Sequence, residues 1–182
     1  MAVSTEEQTA AVPKSVTILG STGSVGCQTI DLLLRNPSDY SIVALTANTN
    51  VELLSEQALM LKPQFVVIGD ENCYRELKSR LSGTDIEVAA GRKAIEDAAN
   101  LDAEWVMAAI VGAAGLAPTL RATQRGAIVA LANKECLVCA GEIFMREVVR
   151  CKATLLPVDS EHNAIYQVLD SKNKSKISRL IL

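Results

Sequence analysis

Three short strings in this 182-residue chain carry side chains that could do chemistry. The first is Gly20-Ser-Thr-Gly23-Ser-Val-Gly26, a GxxGxxG spacing that follows an apolar run and opens an amphipathic one. Glycines at such a turn let backbone N–H groups approach a pyrophosphate, and the positive helix end favours its charge. Thr22 and Ser24 add hydroxyl donors. The second string, Leu131-Ala-Asn133-Lys134-Glu135, also ends an apolar run, where polar side chains can converge on a ligand. A surface ion pair between Lys134 and Glu135 fits the same letters. The third, Asp159-Ser160-Glu161, sets two carboxylates two residues apart. In an extended segment they face one side and offer hard oxygens to Mg²⁺ or Mn²⁺; as a helix start they cap backbone N–H groups instead. His162, the one histidine, reads as structural before catalytic.

The dinucleotide is narrowed by the end of the second apolar run, Thr46-Ala-Asn-Thr-Asn50. No carboxylate occurs over 40–51 to repel the 2′-phosphate of NADP, and no Lys or Arg occurs there to clamp it. NADP is favoured, held by hydroxyl and amide groups of Asn48, Thr49 and Asn50; an ordinary polar loop is the alternative. Cys136-Leu-Val-Cys139, with Cys151 and His162 as further ligands, matches no common zinc spacing and reads as packed thiols on a helix. Five cysteines without regular spacing favour a reducing cytosol.

These strings need a scaffold, and the apolar patterning supplies one. Short, mostly β-branched runs at 16–19, 41–46, 65–68, 86–89, 106–110, 128–131 and 154–158 predict buried parallel strands. Apolar residues at helical spacing predict crossover helices over 28–34, 51–61, 74–81, 117–122 and 142–149. This βα rhythm predicts an α/β, doubly wound, Rossmann-like parallel sheet. The longest apolar stretch, 105–117, falls short of the roughly 20 residues of a membrane span, and the first residues carry no apolar signal core. A net charge of −3, with one Trp, two Phe and three Tyr, argues against a nucleic-acid partner.

Taken in order, GSTGSVG, AAIVGAAGL, ALANKECLV and LLPVDSEHNAIYQ resemble the 1-deoxy-D-xylulose 5-phosphate reductoisomerases from about position 15 to 182. The resemblance implies a cytoplasmic, NADPH-dependent oxidoreductase of the methylerythritol phosphate route to isoprenoid precursors, a homodimer at full length. Its reaction turns 1-deoxy-D-xylulose 5-phosphate, a small phosphorylated sugar, into 2-C-methyl-D-erythritol 4-phosphate. A divalent cation, Mg²⁺ or Mn²⁺ with Co²⁺ as a further candidate, acts there as Lewis acid and template. Carried over by motif, Thr22, Gly23, Ser24 and Val25 hold the pyrophosphate, and Asn48, Thr49 and Asn50 surround the adenosine ribose. Asn133 and Glu135 also touch NADPH. Lys134 reaches the substrate, Asp159 and Glu161 ligate the metal, and Ser160 and Glu161 contact substrate; Lys134 and Glu161 are the implied catalytic pair.

The chain departs from the family at Thr49, where Lys or Arg is common, and at Cys136, where Ser or Thr is usual. It also stops before the family's Ser-Gly-Gly loop, flexible lid, further metal-ligating Glu, phosphate-binding residues and C-terminal helical domain. The expected organisation is a flexible extension over 1–14, a cofactor domain over 15–150, and over 151–182 the incomplete start of an α+β catalytic domain whose alternating 176–182 segment enters a sheet. Such a fragment is expected to lack turnover alone. Two rivals are another GxxGxxG oxidoreductase of the homoserine or semialdehyde dehydrogenase type, and a non-catalytic dinucleotide-binding module.

Overall fold

Alternate residues of a strand point to opposite sides of a sheet, so a run that is apolar throughout needs cover on both faces. The computed structural model, which describes residues 12–169 and 177–179, supplies that cover. Its strands are β1 (Lys14–Leu19), β2 (Tyr40–Ala47), β3 (Phe65–Ile68), β4 (Glu87–Ala90), β5 (Trp105–Ala108), β6 (Ile128–Leu131) and β7 (Thr154–Pro157). All pair in parallel in one sheet of order β4-β3-β2-β1-β5-β6-β7. Val16 and Ile18 of β1 pack on one face with Ile30 and Leu33 of α1 (Ser24–Arg35), Leu54 and Ala58 of α2 (Val51–Leu61) and Leu77 of α3 (Tyr74–Arg80). On the other face Leu19, Val106 and Val129 meet Ala99 of α4 (Arg92–Asn100), Ala122 of α5 (Leu116–Gln124) and Cys136 of α6 (Glu135–Arg150). A short α7 (Ser160–Val168) follows β7. The doubly wound, Rossmann-like arrangement read from the sequence is the one observed.

Each departure from expectation has a local cause. Helix α4 was not anticipated: its packing face is made of Ala94, Ile95, Ala98 and Ala99, small side chains apart from Ile95, set between charged neighbours. Helix α6 starts at Glu135 rather than near 142: the backbone bends at Ala140 (φ −142°, ψ 24°), which breaks the periodicity. β5 ends at Ala108, and 109–112 form a loop in place of the last strand residues. Beyond the boundary expected at 150, β7 still joins the sheet, pairing with β6 in the register Ile128↔Thr154 to Leu131↔Pro157. Of the strand expected over 176–182, residues 177–179 have no regular structure and the rest lie outside the described residues, as does most of the 1–14 extension. Among the described residues no helix is long and apolar enough to cross a membrane.

Candidate functional site

The chain leaves β1 at the middle of the sheet, between β2 and β5, which is where the strand order reverses and where open α/β sheets bind ligands. The first glycines are required there by packing. Gly20 has φ +85°, and a Cβ on it would lie 2.9 Å from the Ala109 carbonyl carbon. On Gly26, a Cβ would lie 2.2 Å from Gly20 O, so α1 sits directly against the loop. The loop is pinned from two sides. Gly20 and Ser21 N–H donate to Thr46 O (3.1 and 2.8 Å), Gly20 N–H also reaches Thr46 Oγ1 (3.0 Å), and the buried Gln57 Nε2 donates to Ser21 O (3.0 Å). Helix α1 then starts with Gly23 as its N-cap and no side chain bonded to its first N–H groups. Those groups, on Ser24 and Val25, are donors without intrahelical partners, suited to an anion.

A cleft of about 440 Å³ opens over this turn. Its walls include Gly20, Thr22 and Gly23 from the loop, Thr46 and Asn48 from β2, Gly69 from the end of β3, and Ala109, Ile110 and Val111 after β5. Arg92 and Ile95 of α4 close its far side. Of the residues expected around a cofactor, Thr22, Gly23 and Asn48 therefore face the cleft, while Thr49 and Asn50 lie on the exposed rim beside it. Asn50 Oδ1 is already engaged, accepting from Leu53 N–H (3.1 Å) as the cap of α2. Thr46, Arg92 and Ile95 are lining residues that pattern reading missed. Thr46 sits in an apolar strand run, and the other two belong to the unanticipated α4.

Asn133 is buried, 3% exposed, and its side chain ties two strand ends together. Its Nδ2 donates to Ile110 O and Gly112 O (2.9 Å), and its Oδ1 accepts from Glu135 N–H (3.0 Å). Gly115 makes room for it, since a Cβ there would stand 2.6 Å from Asn133 Nδ2. Lys134 and Glu135 are exposed at the start of α6 and form no ion pair with each other among the described residues.

Because Leu131 and Pro157 are paired in register, the segments that follow them lie side by side. Asp159 caps α7: its Oδ1 accepts from His162 N–H (3.0 Å) and lies 2.7 Å from His162 Nδ1. The N-cap reading of Asp159-Ser160-Glu161 is thus the observed one, and the extended reading is corrected, since Ser160 and Glu161 are already helical. Burial disfavours the Asp159 charge, but the His162 N–H and ring and the nearby charge of Lys134 outweigh it and hold the carboxyl below its ordinary range. Lys134 and Asp159 are in this way brought together, with Ser160 and Glu161 exposed next to them.

The donor chemistry of Asp159 and Glu161 suits a hard divalent cation, but no group of three metal-binding side chains occurs among the described residues. Two carboxylates fit as part of a site that takes six or more oxygens, not as a whole one. Cys136 is buried in the core, and that burial pushes its thiol up; Cys139 is exposed, so the packed-thiol reading holds for the first only.

Comparison with known proteins agrees with the geometry. A family profile described as 1-deoxy-D-xylulose 5-phosphate reductoisomerase matches residues 16–141. The reductoisomerase of Rhodospirillum centenum is 59% identical over 169 residues, which is 93% of this chain and 42% of that protein. That of Bradyrhizobium diazoefficiens is 51% identical over 173 residues, again 42% of its length. In three dimensions the chain matches the Zymomonas mobilis reductoisomerase in complex with NADPH with a TM-score of 0.89 at 48% identity, over 92% of this chain and 44% of that one. It also matches a reductoisomerase in complex with NADPH, fosmidomycin and magnesium (TM-score 0.84, 38% identity, 87% of this chain and 40% of that one). The chain spans less than half the length of these relatives. With the profile covering the sheet from β1 into α6, and the glycine turn, Asn133 and the paired strand ends in place, the chain belongs to the 1-deoxy-D-xylulose 5-phosphate reductoisomerase family.

Proposed function

We propose that this chain is the NADPH-binding part of a 1-deoxy-D-xylulose 5-phosphate reductoisomerase, joined to the first metal- and substrate-binding residues of that enzyme. The observation that carries the reading is the cleft over the β1–α1 turn, with its unpartnered helix N–H groups, in a fold that matches an NADPH-bound relative. Thr22, Gly23, Ser24 and Val25 hold the pyrophosphate through backbone and hydroxyl donors. Asn48, Thr49 and Asn50 flank the adenosine ribose, Asn50 through its position rather than its capped side chain. Asn133 and Glu135 border the other end of the cofactor, and Asn133 does so by fixing the loop after β5.

Lys134 and Glu161 are the catalytic pair of the proposed reaction, in which 1-deoxy-D-xylulose 5-phosphate becomes 2-C-methyl-D-erythritol 4-phosphate. The Lys134 ammonium steadies negative charge on substrate oxygens. Ser160 and Glu161 contact substrate, and Asp159 and Glu161 are two ligands of a divalent cation, which when bound supplies a Lewis acid for the substrate's oxygens. The catalytic unit begins after β7, near Asp159, rather than at 151. A cytoplasmic homodimer is the setting the family resemblance implies, and five free cysteines are compatible with a reducing compartment.

The test is a titration of the folded chain with NADPH, followed by nicotinamide fluorescence. Saturable binding is expected; a chain with native circular dichroism and no binding overturns the cofactor assignment. In a longer chain that turns over substrate, Asp159→Asn should depress activity and leave NADPH affinity within about twofold.

A further inference from the structure

The cleft is lined by glycines, small hydroxyl and amide residues and apolar side chains, with one exception. Arg92 is its only charged lining residue among the described residues, and no carboxylate faces it across the cleft. The arginine begins α4 behind Gly91, whose φ of +93° turns the chain sharply from β4 into the helix. One turn on, Ile95 lines the same cleft, so the face of α4 that carries positions 92 and 95 looks into it. The end of β3 closes the gap: a Cβ on Gly69 would stand 2.7 Å from Asn48 Oδ1 and 3.4 Å from Ile95 Cδ1, which places α4 directly beside the end of β2.

Arg92 is exposed and forms no ion pair among the described residues; Arg35, Arg80, Arg121, Arg125 and Arg150 are each held by a carboxylate, and Arg75 and Arg146, also without one, do not line the cleft. Glu71 lies against Gly91 at the same helix start but closes no pair with Arg92. A guanidinium without a carboxylate partner, at the rim where the ribose of a dinucleotide meets β2, has the fork geometry that a phosphate takes up in two parallel hydrogen bonds. The β2–α2 loop cannot supply this, since it holds no cation over 40–51.

We propose that Arg92 is the specificity-determining residue for NADPH over NADH, binding the 2′-phosphate of the adenosine ribose from α4. The inference rests on the cofactor reading given above. In this protein the charge that selects NADPH comes from two strands further out in the sheet than the loop that carries the ribose.

The test compares NADPH with NADH, and adenosine 2′,5′-bisphosphate with AMP, by titration of the 182-residue chain and its variants. Arg92→Gln should weaken NADPH roughly 10- to 100-fold, the range of a lost charge-assisted hydrogen-bond pair, and leave NADH within about twofold. Arg92→Lys should keep most of the preference. The bisphosphate should follow NADPH and AMP should follow NADH. If Arg92→Gln weakens both cofactors equally, or neither, the role of Arg92 is overturned. Wild-type chain that binds both cofactors equally overturns the inference alone, while wild-type chain that binds neither overturns the cofactor reading itself.

Discussion

Gly26→Ala offers the sharpest test of why the turn after β1 is built from glycines. The new methyl carbon would stand 2.2 Å from Gly20 O and 2.6 Å from both the carbon and the oxygen of the Ser21 carbonyl. All three are backbone atoms, so no side chain can swing aside. To reach an ordinary contact of 3.4 Å, Gly20 O would have to retreat by more than an ångström. That movement strains the Gly23 N–H bond to Gly20 O (3.2 Å) and the Gln57 bond to Ser21 O (3.0 Å), against a loop that Thr46 holds from the other side. Overpacking costs about 1–3 kcal/mol and each bond lost about 1 kcal/mol, while Ala returns about 1 kcal/mol as the better helix former. The net is a destabilisation of about 2–4 kcal/mol, or a fall in Tm of roughly 4–16 °C for a chain of this size. Gly141→Ala is the matched control, because a Cβ there meets nothing within 4 Å and should leave Tm unchanged or slightly raised. Thermal unfolding followed by circular dichroism decides it. A Gly26→Ala chain that melts within 2 °C of wild type, as an order-of-magnitude threshold of about 1 kcal/mol, would refute the close-approach argument.

Three further outcomes follow from neighbouring contacts. Gln57→Leu removes the tether on Ser21 O and leaves that carbonyl only the weak Cys27 thiol at 3.7 Å; a loss of about 1–2 kcal/mol and several-fold weaker NADPH binding are expected, and unchanged values in both melting and titration would show that the tether is idle. Asn133→Asp turns a carboxylate toward Ile110 O and Gly112 O in a buried position, so it should destabilise by about 2–4 kcal/mol and more than Asn133→Ala, a ranking that urea unfolding can reverse or uphold. The Glu147 carboxyl is held down to about 2 by hydrogen bonds from Arg150 and Gln124. Its folded-state value lies below its unfolded one, so the ion pair contributes above the ordinary carboxylate range, about 4.3, and the contribution fades as pH falls toward 2. The melting advantage of wild type over Glu147→Gln should therefore shrink between about pH 4.5 and 2; an advantage constant over that window would show the carboxyl is not depressed.

How much of this was legible in the letters depended on what each residue was doing. The inner strands were visible because runs such as Val66, Val67 and Ile68 are buried on both faces, while β4 and β7 at the sheet edges are only half-buried. The glycine turn was visible for a related reason: close backbone approach admits nothing larger than glycine, so the constraint is written in residue type. Arg92 was invisible because its meaning depends on where α4 lies, and α4 packs through Ala94, Ile95, Ala98 and Ala99, a face of mostly small side chains. Asn133 was singled out as a cofactor contact, and its backbone bonds add a role the letters could not show. Its three hydrogen bonds all go to backbone, and only the folded chain shows which partners a buried amide has taken.

The same bonds connect the cleft to the start of α6 and, through the β6–β7 register, to α7. Asn133 locks the loop after β5, which walls the cofactor cleft, to the start of α6, where Lys134 stands. The register of β6 with β7 then carries that start to within electrostatic reach of Asp159, and Asn163 Nδ2 fixes α7 back onto Pro157 O (2.7 Å). The cleft wall is therefore tied to the start of α6 by hydrogen bonds, and α7 to the end of β7, with Lys134 and Asp159 linked by charge between them. A perturbation of Asn133 should accordingly be felt at both ends, and its effect on NADPH affinity and on the Lys134–Asp159 pair should not be separable, whereas Arg92→Gln should touch the cofactor end alone. Chemical-shift changes at Asp159 and His162 would register this difference: present in Asn133→Ala and absent in Arg92→Gln if the strand ends carry the coupling, equal in the two variants if they do not.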